Sequence, residues 1–145
     1  MVRLEALFPD LVDKLRCASD TKQRKAGLAA SEFAISHVAF EHTLVKRILE
    51  KVRATGILTP KEKAEIDGLA EKFDDEYFAM QDAAEKEQSS SDDYMRSFGK
   101  ARAVAALSFA GNENAFEAAT EAIYEAAATT IDQEELFALI QSVLE

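Results

Sequence analysis

The stretch Gly56-Ile57-Leu58-Thr59-Pro60-Lys61-Glu62-Lys63 reads as a helix stop followed at once by a helix start. Gly56 suits the left-handed residue that closes a helix. Thr59 can accept a hydrogen bond from the backbone three residues on. Pro60 takes the first helical position, where its missing N–H costs nothing, and Glu62 can reach back to the Thr59 N–H. The same punctuation recurs downstream: Asn114 with Glu117 and Asp132 with Glu135 are further capping pairs, and Gly111 is a stop. Between these marks the apolar residues keep helical spacing. Ile66, Leu69, Ala70, Phe73, Tyr77, Met80 and Ala84 follow Pro60, ending in the polar run 85–91. Tyr94, Met95, Phe98, Ala101, Ala105 and Phe109 follow Ser91. Phe116, Ala119, Ile123, Tyr124 and Ala127 follow Asn114, and Leu136, Phe137, Leu139, Ile140, Val143 and Leu144 follow Asp132.

The N-terminal side obeys the same period. Leu4, Leu7, Phe8, Leu11, Val12 and Leu15 form one stripe with Pro9 inside it. Asp10, a carboxylate suited to a helix N-terminus, favours a helix opened by Pro9 after a short lead-in turn. Asp20 with Gln23 reads as the cap of a second helix that runs to about residue 54, with Phe33, His37, Phe40 and Leu44 along one face. Such a helix would span about 51 Å, whereas a domain of this size measures about 40 Å across. It must therefore bend or break near Gly27, where Ser31 could cap again, or project and pack on another subunit. A bent but continuous helix is the expectation. Only two prolines and five glycines interrupt 145 residues, and no alternating strand pattern stands out. The prediction is an all-α, single-domain chain. It should form an up-and-down array of five or six helices, one of them long (about 20–54), joined by short connections that set neighbours antiparallel. The alanines after Ser91 and after Asn114 predict close approach of those two helices.

Composition narrows the function. With 48% apolar residues the chain can bury a core. Its longest run free of Asp, Glu, Lys and Arg, residues 103–112, is half of the roughly 20 that a membrane span needs. A single cysteine, Cys17, allows no internal disulfide, and a cytoplasmic protein is the expectation. The net charge is −10 and is unevenly placed. Residues 1–60 carry ten Lys/Arg against seven Asp/Glu, and residues 61–145 carry seven against twenty. After Arg102 there is no cationic side chain, while eight carboxylates remain. A field of that sign repels phosphate backbones, so nucleic acid is not an expected partner.

Few constellations suggest catalysis. His37 and Glu41 stand at i, i+4, but neither histidine has a glutamate three residues before it, as a di-iron bundle requires, and no HExxH is present. His37, between Phe33 and Phe40, reads as a hydrogen-bonded core histidine. Glu62-x-x-Glu65 and Glu71-x-x-Asp74 resemble the acidic pairs by which all-α nucleotide pyrophosphatases hold magnesium. The resemblance implies a Mg- or Mn-dependent hydrolase with clustered carboxylates as an alternative function. On one helix, however, the first two lie about 60° apart and the second two on the opposite side. The segment 56–63 is similar over eight residues to the inter-helix turn of tellurite-resistance-type helical domains, a similarity that a generic capped turn also produces. Cys17 has no nucleophile partner nearby in sequence, and the glycines form no phosphate-cradling loop. No cofactor and no metal ligand is expected.

The strongest feature is electrostatic. Glu113, Glu117, Glu121 and Glu125 repeat every fourth residue with no lysine between them. Three like-charge pairs at that spacing cost about 1 kcal/mol in all, so something cationic should stand opposite. Within the chain the candidates are Lys22, Arg24, Lys25, Lys100 and Arg102; outside it, a basic protein. Asp74 and Asp75, with Glu76 and Asp82, form a second acidic concentration. The expectation is an acidic protein-binding module that engages a basic protein partner through Glu113, Glu117, Glu121, Glu125, Asp74 and Asp75. In this it resembles the class of helical immunity proteins and antitoxins that cover a basic effector. A third reading is a structural homodimer built on the long helix.

Overall fold

The structure is a computed structural model that describes residues 2–87 and 91–145, the side chains of 83–87 and 91–94 excepted. A 3-10 turn, Arg3–Ala6, leads into seven helices among the described residues. They are α1 (Pro9–Cys17), α2 (Asp20–Val38), α3 (Thr43–Thr55), α4 (Pro60–Glu87), α5 (Ser91–Ala110), α6 (Ala115–Ala127) and α7 (Gln133–Leu144). There is no strand among the described residues, and no helix is long and apolar enough to cross a membrane. The Ser89-Ser90 part of the serine run lies outside the described residues, and so does the side chain of Tyr94.

The local caps act as the sequence predicts. Pro9 opens α1 with Asp10 in its first turn. At α4 the Glu62 N–H donates to Thr59 Oγ1 (3.2 Å) and the Thr59 N–H donates to Glu62 Oε1 (2.9 Å). The Glu117 N–H donates to Asn114 Oδ1 (2.9 Å) and the Glu135 N–H to Asp132 Oδ1 (3.3 Å).

The expected long helix over 20–54 is corrected in two respects. Its cap is Ser19, whose Oγ accepts from the Lys22 N–H (3.2 Å), while Gln23 is buried and donates to the Leu15 carbonyl (2.8 Å). The chain also breaks at residues 39–42, not near Gly27. Ala39 turns left-handed (φ 56°) and closes α2, and His42 Nδ1 accepts from the Leu44 N–H (3.1 Å) to open α3. His37 is likewise not a core histidine: it is exposed, its ring stacked on Phe33 at 5.5 Å. The long helix is α4 instead, 28 residues or about 42 Å.

The body is organised around α2, α5 and α6. Val38 packs on Gly99, and Arg24 reaches the carbonyl of Asn112, so α2 and α5 run antiparallel. Gly27 of α2 lies against Ala118 and Ala119 of α6. The up-and-down succession therefore holds for α4, α5 and α6, whereas α2 packs chiefly against α5, α6 and α7, far along the chain. The α2–α6 seam is made of small residues: Ala26, Ala30 and Ala34 facing Ala118, Ala119, Ala122 and Ala126, all fully buried. A Cβ on Gly27 would stand 3.3 Å from the Ala118 carbonyl oxygen. Gly27 therefore lets two backbones approach; it does not break a helix. At the end of the body, Leu58 is buried where a Cβ on Gly111 would overlap it, and its N–H donates to the Gly111 carbonyl (3.0 Å). Arg24 fastens the same end by donating to the carbonyls of Gly56 (2.9 Å), Asn112 and Glu113. Burial, with Asp20 opposing, lowers the Arg24 pKa.

Candidate functional site

The acidic residues singled out by the sequence divide into two groups. Glu121, Glu125 and Asp74 are matched inside the chain. Arg3, on the lead-in turn, donates from Nε to Glu121 (3.0 Å) and from Nη2 to Glu121 and to Glu125 Oε1 (3.1 Å). Arg102, on α5, donates from Nη1 to Glu125 Oε2 (2.7 Å) and from Nη2 to both oxygens of Asp74 (3.0 and 2.9 Å). A continuous chain of charge, Asp74–Arg102–Glu125–Arg3–Glu121, thus crosses from α4 over α5 to α6. Glu125 is its centre, with 5% of its side chain exposed and both oxygens satisfied by guanidinium groups. Arg3 also lies over the Tyr124 ring at 4.2 Å, which is within cation–π range. Burial is the largest influence on the Arg3 pKa and lowers it, but the bonds and charges of Glu121 and Glu125 together outweigh burial and leave it raised.

Glu113, Glu117 and Asp75 form the second group. All three are exposed, and among the described residues no ion pair reaches their side chains. The i+4 repulsion along α6 is relieved only in its second half. Of the cations that could have faced the row, Arg102 does so. Lys22 instead donates to the carbonyls of Leu144 (3.2 Å) and Glu145 (3.3 Å), and Lys100 stands 5.9 Å from the Phe40 ring and 5.7 Å from the Phe73 ring. Sequence reasoning missed Arg3. It lies 118 residues from Glu121, and no local pattern links them.

A cleft of about 290 Å³ opens beside the charge chain between α4, α5 and α6, lined by Asp67, Glu71, Asp74, Arg102, Ser108 and Glu125. Ser108 donates to Asp67, and Lys63 donates to Ser108 Oγ (3.0 Å). Arg102 Nε is buried and has no hydrogen-bond partner among the described residues. Of the four carboxylates that resemble a magnesium-holding set, Glu71 and Asp74 line this cleft and Glu62 and Glu65 do not. Glu62 caps α4, Glu65 pairs with Arg47 (2.6 Å), Asp74 pairs with Arg102, and Glu71 has no ion pair among the described residues. Among the described residues no three carboxylate, imidazole or thiol groups stand close enough to hold a metal ion. The ion pairs of Arg102 beside the cleft join α4, α5 and α6.

Some large apolar side chains are also exposed. Phe78, Met80 and Met95 lie on the outer part of α4 and α5, with 59%, 39% and 49% of their surface exposed, and Ile131 is fully exposed after α6. Cys17 is exposed and free. No family model, no curated protein and no solved structure matches this chain.

Proposed function

We propose that the chain is a binding module for a basic protein surface and not an enzyme, and that it works in the cytoplasm. One observation carries this reading. Arg3 and Arg102 take up the inner carboxylates, yet Glu113, Glu117 and Asp75 are exposed and have no ion pair among the described residues, on a chain whose net charge is −10. Exposed like charges with no internal partner keep their field in solvent, where it steers a cationic surface and then pairs with it. Glu121, Glu125 and Asp74 have a different part: they hold α4, α5 and α6 in the arrangement that displays the others.

Affinity capture from native lysate at about 50 and 300 mM salt, followed by titration of the purified partner, tests the reading. The expected result is a saturable complex with a basic protein. It should weaken at the higher salt and weaken further with Glu113→Lys and Glu117→Lys combined, a change that leaves the internal pairs intact. A complex indifferent to both salt and charge reversal would refute electrostatic docking.

A further inference from the structure

The body supports α5 on two sides only as far as about residue 99. Val38, the last residue of α2, meets Gly99, and Glu125, one turn from the end of α6, meets Arg102. Farther out, the contacts described between α5 and another helix are with α4: Phe98 with Tyr77 and Ser97 with Met80. No residue between Phe73 and Ser97 is buried among those whose burial is described. From Phe73 to the end of α4 is about 21 Å of helix. The two helices thus form an arm, held together by the Tyr77–Phe98 ring contact (5.3 Å) and by Ser97 Oγ at 3.7 Å from Met80 Sδ.

The two flanks of the arm differ in charge. On one, Phe78 has Asp74 and Asp75 a turn before it and Asp82 a turn after it, and its ring lies 5.2 Å from that of Tyr77. Met95 stands one turn from Phe98 on α5, and Arg102 over the Phe98 ring (5.8 Å) ties this flank to the charge chain. On the other flank Arg96 shares a face with Lys100, which sits against Phe40 and Phe73. Over residues 71–96 the sequence holds nine carboxylates and three cations. Exposed large apolar side chains with Asp75 and Asp82 exposed a turn to either side of Phe78 suit an occupant that brings an apolar stripe bordered by Lys or Arg.

The geometry points to a docking groove on the Phe78–Met95 flank of the α4–α5 arm for a cationic amphipathic helix, laid along α5 in the slot that α6 occupies nearer the body. This rests on the reading of the chain as a protein-binding module, and it places the apolar anchor on Phe78 and Met95. A second copy of this chain is disfavoured as occupant, because two flanks of the same negative sign would face each other.

The test is fluorescence anisotropy with a labelled Lys/Leu peptide of about 18 residues, five turns patterned as an amphipathic helix, against a scrambled peptide of the same composition. The full-length chain should bind the patterned peptide one to one and prefer it over the scrambled one. Phe78→Ala with Met95→Ala should lower that affinity about tenfold or more without changing the circular dichroism spectrum. If the chain and the double variant bind both peptides equally, and Glu113→Lys with Glu117→Lys weakens binding, the groove is overturned and the charge-steered module stands. If neither peptide binds, the groove is overturned, and the salt-dependent capture described above decides the binding module separately. If the chain alone self-associates in light scattering and the double variant is monomeric, the flank belongs to a second copy and the inference is overturned.

Discussion

Two parts of α5 follow opposite rules. From Ala101 to Ala110 it is packed on several sides: Ala101, Ala103, Val104, Ala106 and Leu107 are fully buried, against neighbours that are themselves alanine-rich. From Met95 to Lys100, Gly99 and the buried Ser97 alternate with larger side chains in a looser setting, with Met95 half exposed and Phe98 partly covered. Small residues occur where helix axes must come close and backbone meets backbone; large ones occur where neighbours are missing and area has to be covered by something else. The body and the arm therefore differ in what a substitution should do. The body is sensitive to any added or lost atom, and the arm is tolerant in folding.

The sharpest break of the body should come from Arg102→Met. Glu125 would keep Arg3 on one oxygen and lose its partner on the other while staying buried. Removing one partner of a buried pair costs about 3 kcal/mol or more, and the loss should appear in urea unfolding. Adding Glu125→Leu to Arg102→Met should recover much of it, because the buried carboxylate is then gone, Arg3 keeps Glu121, and Asp74, which loses Arg102, is a third exposed and can be solvated. A single variant as stable as the wild type would mean that water already satisfies Glu125 and that the charge chain does not hold the helices.

Next in size is Gly27→Val. Its Cβ alone would stand 3.3 Å from the Ala118 carbonyl, and the added methyls must push α2 from α6, at about 2–3 kcal/mol. Gly68→Ala is the matched control: an added Cβ there meets nothing within 4 Å, so the variant should gain about 0.5–1 kcal/mol from lower unfolded-state entropy. Equal effects at the two glycines would erase the distinction between a close-packed seam and an open helix face.

Gly27 also shows what was legible in the sequence and what was not. Helix type and most helix starts were legible because capping is local: Thr59 and Glu62, Asn114 and Glu117, and Asp132 and Glu135 each act within one turn. The break at residues 39–42 was not, since Ala39 in a left-handed conformation has no composition signal and His42 is an unusual cap. Gly27 looked like a breaker because its reason, the backbone of α6, lies more than 90 residues away. The candidate site was half legible. The acidic repeat on α6 announced a missing cation, and Arg102 was among the possible partners. Arg3 was not, because a pairing across 118 residues is set by how the lead-in turn packs on α6 and leaves no trace in spacing. The exposure of Phe78 was hidden for a related reason: helical spacing shows that an apolar residue could face a core, and only the ends of α2 and α6 decide whether a core is there.

The capping box at the start of α4 offers a smaller and pH-dependent effect. Thr59→Ala should cost about 1 kcal/mol. The Thr59 N–H, its hydroxyl and the nearby charges of Lys51 and Arg47 hold the Glu62 carboxyl below its ordinary range, against the opposing effect of burial. Its contribution is therefore fully present above the ordinary carboxylate range and is lost as pH falls through the lowered folded value. Glu62→Gln should be less stable than the wild type near neutrality, and the gap should close in acid. A gap that is constant with pH would show that the Glu62 charge has no part in holding the turn.

The smallest expected change in stability is the one that separates arm from body. Phe78→Ser removes a ring that is 59% exposed and whose aromatic neighbour among the described residues is Tyr77, so the unfolding free energy should move by less than about 0.5 kcal/mol. The same substitution at Phe73, which is buried against Phe40 at 5.8 Å, should cost several times more. The two phenylalanines stand five residues apart on one helix, so helix propensity cannot account for the contrast; only neighbours can. If Phe78→Ser destabilises the fold as Phe73→Ser does, the outer half of α4 is held by packing of its own and there is no unsupported arm. If it is silent in folding, the ring is kept at the surface for a reason that folding does not supply.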